Sequence, residues 1–128
     1  MIGGVLVDTS VWVEHFRRRN ETLVNLLTLD LALTHPMIVT ELACGTPPAP
    51  RARTLTDIGT LPQARQANLD ELRDLIEREQ LFGLGCGLVD LTLLASALLT
   101  PGCQLWTHDK RLVQLAQRFG IAYQPARH

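Results

Sequence analysis

Val5-Leu6-Val7-Asp8-Thr9-Ser10-Val11-Trp12 decides the fold class. A short apolar run after two glycines stops on three polar residues, the pattern of a buried strand ending in a polar turn. A helix is expected next, capped by Ser10, with Val11, Trp12, Val13 and Phe16 supplying its apolar positions. Arg17-Arg18-Arg19 closes its last turn, where positive charge complements the helix dipole. The same alternation recurs outward from this junction. A helix is expected over Glu21 to Leu29 and a strand over Leu31 to Thr34. Pro36 then opens a helix carrying Met37, Ile38, Glu41 and Leu42 and ending at Gly45. Arg51 to Ile58 reads as a short helix, Ala64 to Gln80 as a long amphipathic one with Leu69, Leu72, Leu75 and Ile76 on one side. Beyond the glycines at 83, 85 and 87, Leu88 to Leu99 is a nearly all-apolar helix. Gln104 to Thr107 is a strand, Asp109 or Lys110 to Phe119 a helix, and Ile121 to Tyr123 a fourth strand. Strands alternating with helices predict an α/β fold with a parallel sheet flanked by α-helices.

The chain has 128 residues, the size of one compact domain, and Pro47-Pro48-Ala49-Pro50 is too short to link two. A single domain over residues 1–128 is expected. With 46% apolar and 20% charged residues, the composition is that of a soluble globular protein and excludes a disordered segment. No apolar stretch approaches the ~20 residues that a membrane-spanning helix needs. The start, Met1 to Val5, has no basic leader, so a cytoplasmic location is expected. Cys44, Cys86 and Cys103 are odd in number and widely spaced, which fits neither a zinc site nor a disulfide framework; they read as reduced, mostly buried thiols. A net charge of −1 is uninformative by itself, since a protein that binds nucleic acid through surface charge alone is usually clearly basic, but the basic residues are nearly all arginine and partly clustered, at 17–19, 51 and 53, and 110–111. Arginine suits bidentate phosphate contacts.

Four acids stand in unexpected places. Asp8 closes a buried strand. Glu41 interrupts Met37-Ile38-Val39-Thr40-Glu41-Leu42-Ala43, and Asp90 interrupts Leu88-Val89-Asp90-Leu91-Thr92-Leu93. An ionised carboxylate in apolar company loses hydration unless a cation or hydrogen bonds replace it. Asp109 follows the third strand, so it and Asp8 occupy carboxyl ends of strands, where open α/β sheets place their ligands. Converging acids without matching cations would repel one another, and hard oxygen donors of this kind select Mg2+ or Mn2+. Such an ion polarises a phosphodiester and activates water near neutral pH. The chemistry implied is phosphodiester hydrolysis.

Four stretches carry a resemblance spanning nearly the whole chain: Val7 to Trp12, Val39 to Gly45, Gly87 to Leu91 with Ala95-Ser96-Ala97, and Leu105 to Leu112. In this order they resemble the motifs of the PIN-domain ribonucleases and, within them, the VapC toxins of bacterial toxin–antitoxin pairs. The resemblance implies a single PIN-like domain whose acidic pocket is Asp8, Glu41, Asp90 and Asp109. Asp8, Asp90 and Asp109 would hold Mg2+ or Mn2+, with Thr9, Ser10 and Thr107 hydrogen-bonding around them. It also implies a cytoplasmic homodimer, an RNA substrate such as transfer or ribosomal RNA, and inhibition by a small VapB-like antitoxin reaching into the acidic groove. His108, beside Asp109, does not match the family's ligands.

Other readings are weaker. A phosphatase using Asp8 as phosphoryl acceptor would want a second aspartate where Ser10 stands, and a receiver domain would carry its acceptor at a later strand. A non-enzymatic RNA-binding module predicts decay of the acid set, yet all four acids are present. A housekeeping PIN nuclease without an antitoxin would have the same pocket.

Overall fold

The computed structural model describes residues 3–125, so the expected domain is followed over that span. Gly4–Val7 forms β1, followed by α1 (Thr9–Arg17) and α2 (Glu21–Thr28). Then come β2 (Ala32–Leu33), α3 (Pro36–Ala43), α4 (Arg51–Gly59), α5 (Leu69–Glu79), α6 (Leu88–Leu99), β3 (Cys103–Trp106) and α7 (Lys110–Arg118). The strands form one parallel sheet in the order β2-β1-β3. This is the expected α/β, PIN-like architecture, a parallel sheet flanked by helices. β1 is central and fully buried, which explains its unbroken apolar character. The core is continuous from Val5, Leu6 and Val7 through Val11, Trp12, Leu23, Ile38, Leu93, Leu94, Leu105 and Leu112. Among the described residues no helix is long and apolar enough to cross a membrane.

The register of β1 on β3 does most to build the site. Val7 stands opposite Trp106, and the Asp8 N–H continues the ladder by donating to the Trp106 carbonyl at 2.9 Å. Asp8 and Thr107 therefore leave the sheet side by side. Because β1 lies between β2 and β3, its carboxyl end is also where chain connections diverge to either side, the crevice in which α/β sheets accommodate ligands.

Several expected boundaries shift, each for a local reason. The helix expected from Ala64 begins at Leu69. Ahead of it, backbone N–H groups are engaged by tertiary partners: Ala64 donates to the Thr34 carbonyl (3.0 Å), Arg65 to Thr100 Oγ1 (2.9 Å) and Ala67 to Ser96 Oγ (3.3 Å). Asn68 then starts α5 with a reciprocal capping box, its side chain accepting from the Glu71 N–H while Glu71 accepts from the Asn68 N–H. Leu69 consequently falls on the first turn and is 68% exposed, whereas Leu72 and Leu75 are buried. The expected fourth strand reduces to one bridge, Leu105 with Ala122, and Ser10 lies inside α1 because Asp8 occupies the N-cap position. Of the cysteines only Cys103 is buried; Cys44 is exposed and Cys86 half-buried. Asn68→Ala should remove the side-chain half of the box, leaving the backbone N–H of residue 68 on Glu71, and cost about 1 kcal/mol of unfolding free energy, measurable as a lower urea midpoint.

Candidate active site

Asp8 is the most constrained of the four acids. It is 5% exposed, and its Oδ2 accepts from the Ser10 hydroxyl at 2.7 Å and the Thr107 hydroxyl at 2.8 Å. Those hydroxyls are polarised in turn: His108 N–H donates to Ser10 Oγ at 3.0 Å and Asp109 N–H donates to Thr107 Oγ1 at 3.1 Å. With backbone donors occupying their acceptor lone pairs, both O–H bonds are directed at the carboxylate. Among the described residues no donor reaches Asp8 Oδ1, so one oxygen is fixed and the other is free for a ligand. Ser10 and Thr107 thus both hold Asp8 by hydrogen bonds. Thr9 contributes differently: its Oγ1 is buried without a hydrogen-bond partner, beside Glu41 in the groove between α1 and α3.

Asp90 sits in the first turn of α6, whose residues from Leu91 to Ala97 are buried. Its pKa is raised above the ordinary aspartate value. Burial is the largest cause, followed by the negative charges of Asp109 and Asp8, with Glu41 adding to them; the Gly87 backbone N–H pulls the other way. Asp90 thus feels the charge of each of the other three acids. Among the described residues none of the four is ion-paired.

The remaining two acids are exposed, which for Glu41 departs from the expected apolar setting. Asp109 is exposed and caps α7, its Oδ1 accepting from the Leu112 N–H at 3.0 Å. Capping uses one oxygen and leaves the second. Glu41 is exposed on α3, while Ile38 and Leu42 face the core. An all-apolar neighbourhood in sequence misjudged it, because successive helical residues point about 100° apart and Glu41 turns toward the groove rather than the sheet. That groove encloses about 520 Å³, is walled by Val13, Phe16 and Leu42, and has Arg17 on its rim.

Among the described residues, no three carboxylate, imidazole or thiol side chains stand close enough to grip a single ion between them. The donor set nonetheless fits a hard divalent cation. Magnesium is commonly held through one or two carboxylates with water completing its shell, and Asp8 offers a free oxygen among unneutralised charges.

Two neighbours were read from sequence only as generic features. Cys86 lies beside the acids: burial raises its thiol pKa first, the charges of Asp90 and Asp109 raise it further, and Arg111 opposes them. Arg111 itself belongs to the basic pair at the start of α7, and its position beside the pocket follows from Asp109 being the cap. A basic pair immediately after a strand-end aspartate was the available signal.

No protein-family model matches the chain. Among curated proteins it is 42% identical over 118 residues to Ribonuclease VapC32 of Mycobacterium tuberculosis, in both strain CDC 1551 / Oshkosh and strain H37Rv. The match covers 92% of this chain and 94% of that protein.

Proposed function

The chain belongs to the VapC ribonuclease family, and on that premise we propose that it is the ribonuclease toxin of a VapBC-type toxin–antitoxin pair. It hydrolyses phosphodiester bonds in RNA, with structured transfer or ribosomal RNA as the substrate class. Asp8, Glu41, Asp90 and Asp109 form the acidic pocket; Asp8, Asp90 and Asp109 hold Mg2+ or Mn2+ partly through water, since no three of the described side chains stand close enough to grip the ion directly, and Thr9, Ser10 and Thr107 support them. The observation that carries this reading is the geometry of Asp8, buried with two hydroxyls on one oxygen and no donor on the other among the described residues, beside an Asp90 whose pKa is raised by burial and by the charges of Asp109, Asp8 and Glu41. An acid set with no cationic partner is electrostatically incomplete, and a divalent ion completes it. When bound, the ion supplies Lewis acidity toward the phosphodiester and toward the hydrolytic water.

The protein's own residues supply orientation. Ser10 and Thr107 hold one oxygen of Asp8 and turn the other toward the pocket. Arg17 on one side, and Lys110 and Arg111 on the other, border the acids with cations suited to RNA phosphates. The apolar groove beside Glu41 fits the inhibitory segment of a VapB-like antitoxin, whose apolar side chains would lie against Val13, Phe16 and Leu42 and whose arginine would meet the carboxylates. A homodimer in the cytoplasm, each chain one domain over residues 1–128, completes the reading.

Purified protein should cut RNA in magnesium or manganese and lose that activity in excess EDTA, and its expression without a partner should arrest growth. Equal cleavage in EDTA would sink the metal mechanism. Healthy growth with abundant soluble protein would argue for the housekeeping nuclease.

A further inference from the structure

The segment between α5 and α6 turns apolar residues outward beside the acidic pocket. Leu81, 1% exposed, pins the segment into the core, but Phe82, Leu84 and Leu88 are 59%, 45% and 58% exposed. Phe82 has no aromatic partner among the described residues, whereas Trp12 lies against Phe16, Trp106 against Tyr123, and Phe119 against Arg118. A clustered apolar exposure rimmed by polar groups marks a binding surface more often than an isolated exposed residue does.

The segment is also fixed in place. Gly83 and Gly85 have φ of +71° and +85°, which lets the chain double back. Arg111 Nη1 donates to the Gly85 carbonyl at 3.3 Å, and a Cβ at Gly85 would come within 2.5 Å of the same guanidinium. Next to it, Cys86 feels the charges of Asp90, Asp109 and Arg111. The loop therefore lies along the edge of the pocket between the starts of α6 and α7. Neither Lys110 nor Arg111 is paired with a carboxylate among the described residues, and the guanidinium spends one N–H on Gly85.

Phe82 stands exposed three residues before Gly85, and Arg111, which holds the Gly85 carbonyl and has no carboxylate partner among the described residues, still has N–H groups to offer. A ring, a guanidinium and an acid pocket served by one loop match the parts of a nucleotide: a base face, a phosphate, and the cation that accompanies cleavage. We propose that this loop is a subsite for single-stranded RNA, in which Phe82 stacks on the base next to the cleaved phosphodiester and Arg111 holds the adjoining phosphate. Every base presents a π-face, so the subsite tolerates sequence and selects unpaired nucleotides. The proposal rests on the ribonuclease reading but is testable apart from catalysis.

The test is binding of a fluorescently labelled, unstructured oligoribonucleotide to the full chain in EDTA, followed by fluorescence anisotropy, with cleavage kinetics measured separately in magnesium or manganese. Phe82→Ala should weaken binding about tenfold, raise KM by a similar factor and change kcat by less than about threefold. Phe82→Trp should restore binding, and Phe82→Leu, which keeps apolar bulk without a π-face, should not. Arg111→Gln should weaken binding and lower the slope of log Kd against log salt by about 0.7, one single-strand phosphate contact. The melting temperature of each Phe82 variant should match that of wild type, since the ring is exposed. Wild type that does not bind the oligonucleotide, Phe82→Ala that binds as wild type does, or rescue by leucine equal to that by tryptophan would each overturn the proposal. Unchanged RNA binding with weakened inhibition by a protein partner would overturn it too, assigning the loop to that partner. Phe82-dependent binding without any cleavage would support the subsite while sinking the ribonuclease reading.

Discussion

Asp90→Asn is expected to abolish RNA cleavage while leaving the metal-free protein as stable as wild type or more so. Asp90 is half-buried in the first turn of α6, and burial together with the charges of Asp109, Asp8 and Glu41 raises its pKa. A folded-state pKa above the unfolded value means that the native protein binds this proton more tightly than the unfolded chain does. The associated stability is fully present below the unfolded value, about 3.9 for aspartate, and is lost as pH rises through the folded value. At neutral pH the metal-free wild type therefore carries the whole repulsion, which asparagine removes. The melting temperatures of the two proteins in EDTA should differ most near neutral pH and converge in acid. Adding magnesium or manganese should stabilise wild type more than the variant, because only the intact pocket binds the ion tightly. If Asp90 were a structural acid, its removal would instead leave a partner unsatisfied and cost on the order of 1–3 kcal/mol. A clear drop in melting temperature with cleavage retained would sink its catalytic assignment.

Asp90 and Asp8 were legible in the sequence because each breaks an apolar run that the fold needs. The β1–α1 junction, α3 and α6 were legible for the same reason: a switch in hydrophobic period marks a change of element. What was not legible depends on contacts distant along the chain. Ala64 to Asn68 continues the helical pattern of α5, yet its N–H groups go to Thr34, Thr100 and Ser96, partners that no local window contains. The exposure of Glu41 depends on which face of α3 meets α1, and neighbouring residues alone do not specify that. Phe82 stands in a glycine-rich loop without periodicity, and the anchoring of that loop emerges only from the packing of Gly85 against Arg111. The hydroxyl pair on Asp8 is the extreme case, since Thr107 is 99 positions away in sequence and arrives through the register of β1 on β3.

That hydroxyl pair makes two substitutions diagnostic of how the pocket is organised. Asp8→Asn keeps one acceptor oxygen, and the Ser10 and Thr107 hydroxyls, already committed as donors by His108 N–H and Asp109 N–H, will select it. The amide nitrogen must then point where the free carboxylate oxygen pointed, presenting two N–H donors to the cation position. Folding should be nearly unaffected, while loss of a charged ligand worth several kcal/mol lowers cleavage by three orders of magnitude or more. Thr107→Val has the opposite profile. It preserves the charge and shape of Asp8 but removes one donor from its Oδ2 and the side-chain acceptor of the part-buried Asp109 N–H, a loss of about 1 kcal/mol. Asp8 can then rotate, and activity should fall about 10–100-fold, as for removal of a group that orients a metal ligand, with Thr107→Ser restoring most of it. Melting temperature and kcat/KM measured on the three proteins separate the roles. If Asp8→Asn destabilised the protein as much as Thr107→Val while leaving cleavage within tenfold of wild type, Asp8 would be a structural anchor for the β1–β3 edge, and the free oxygen would have no catalytic meaning.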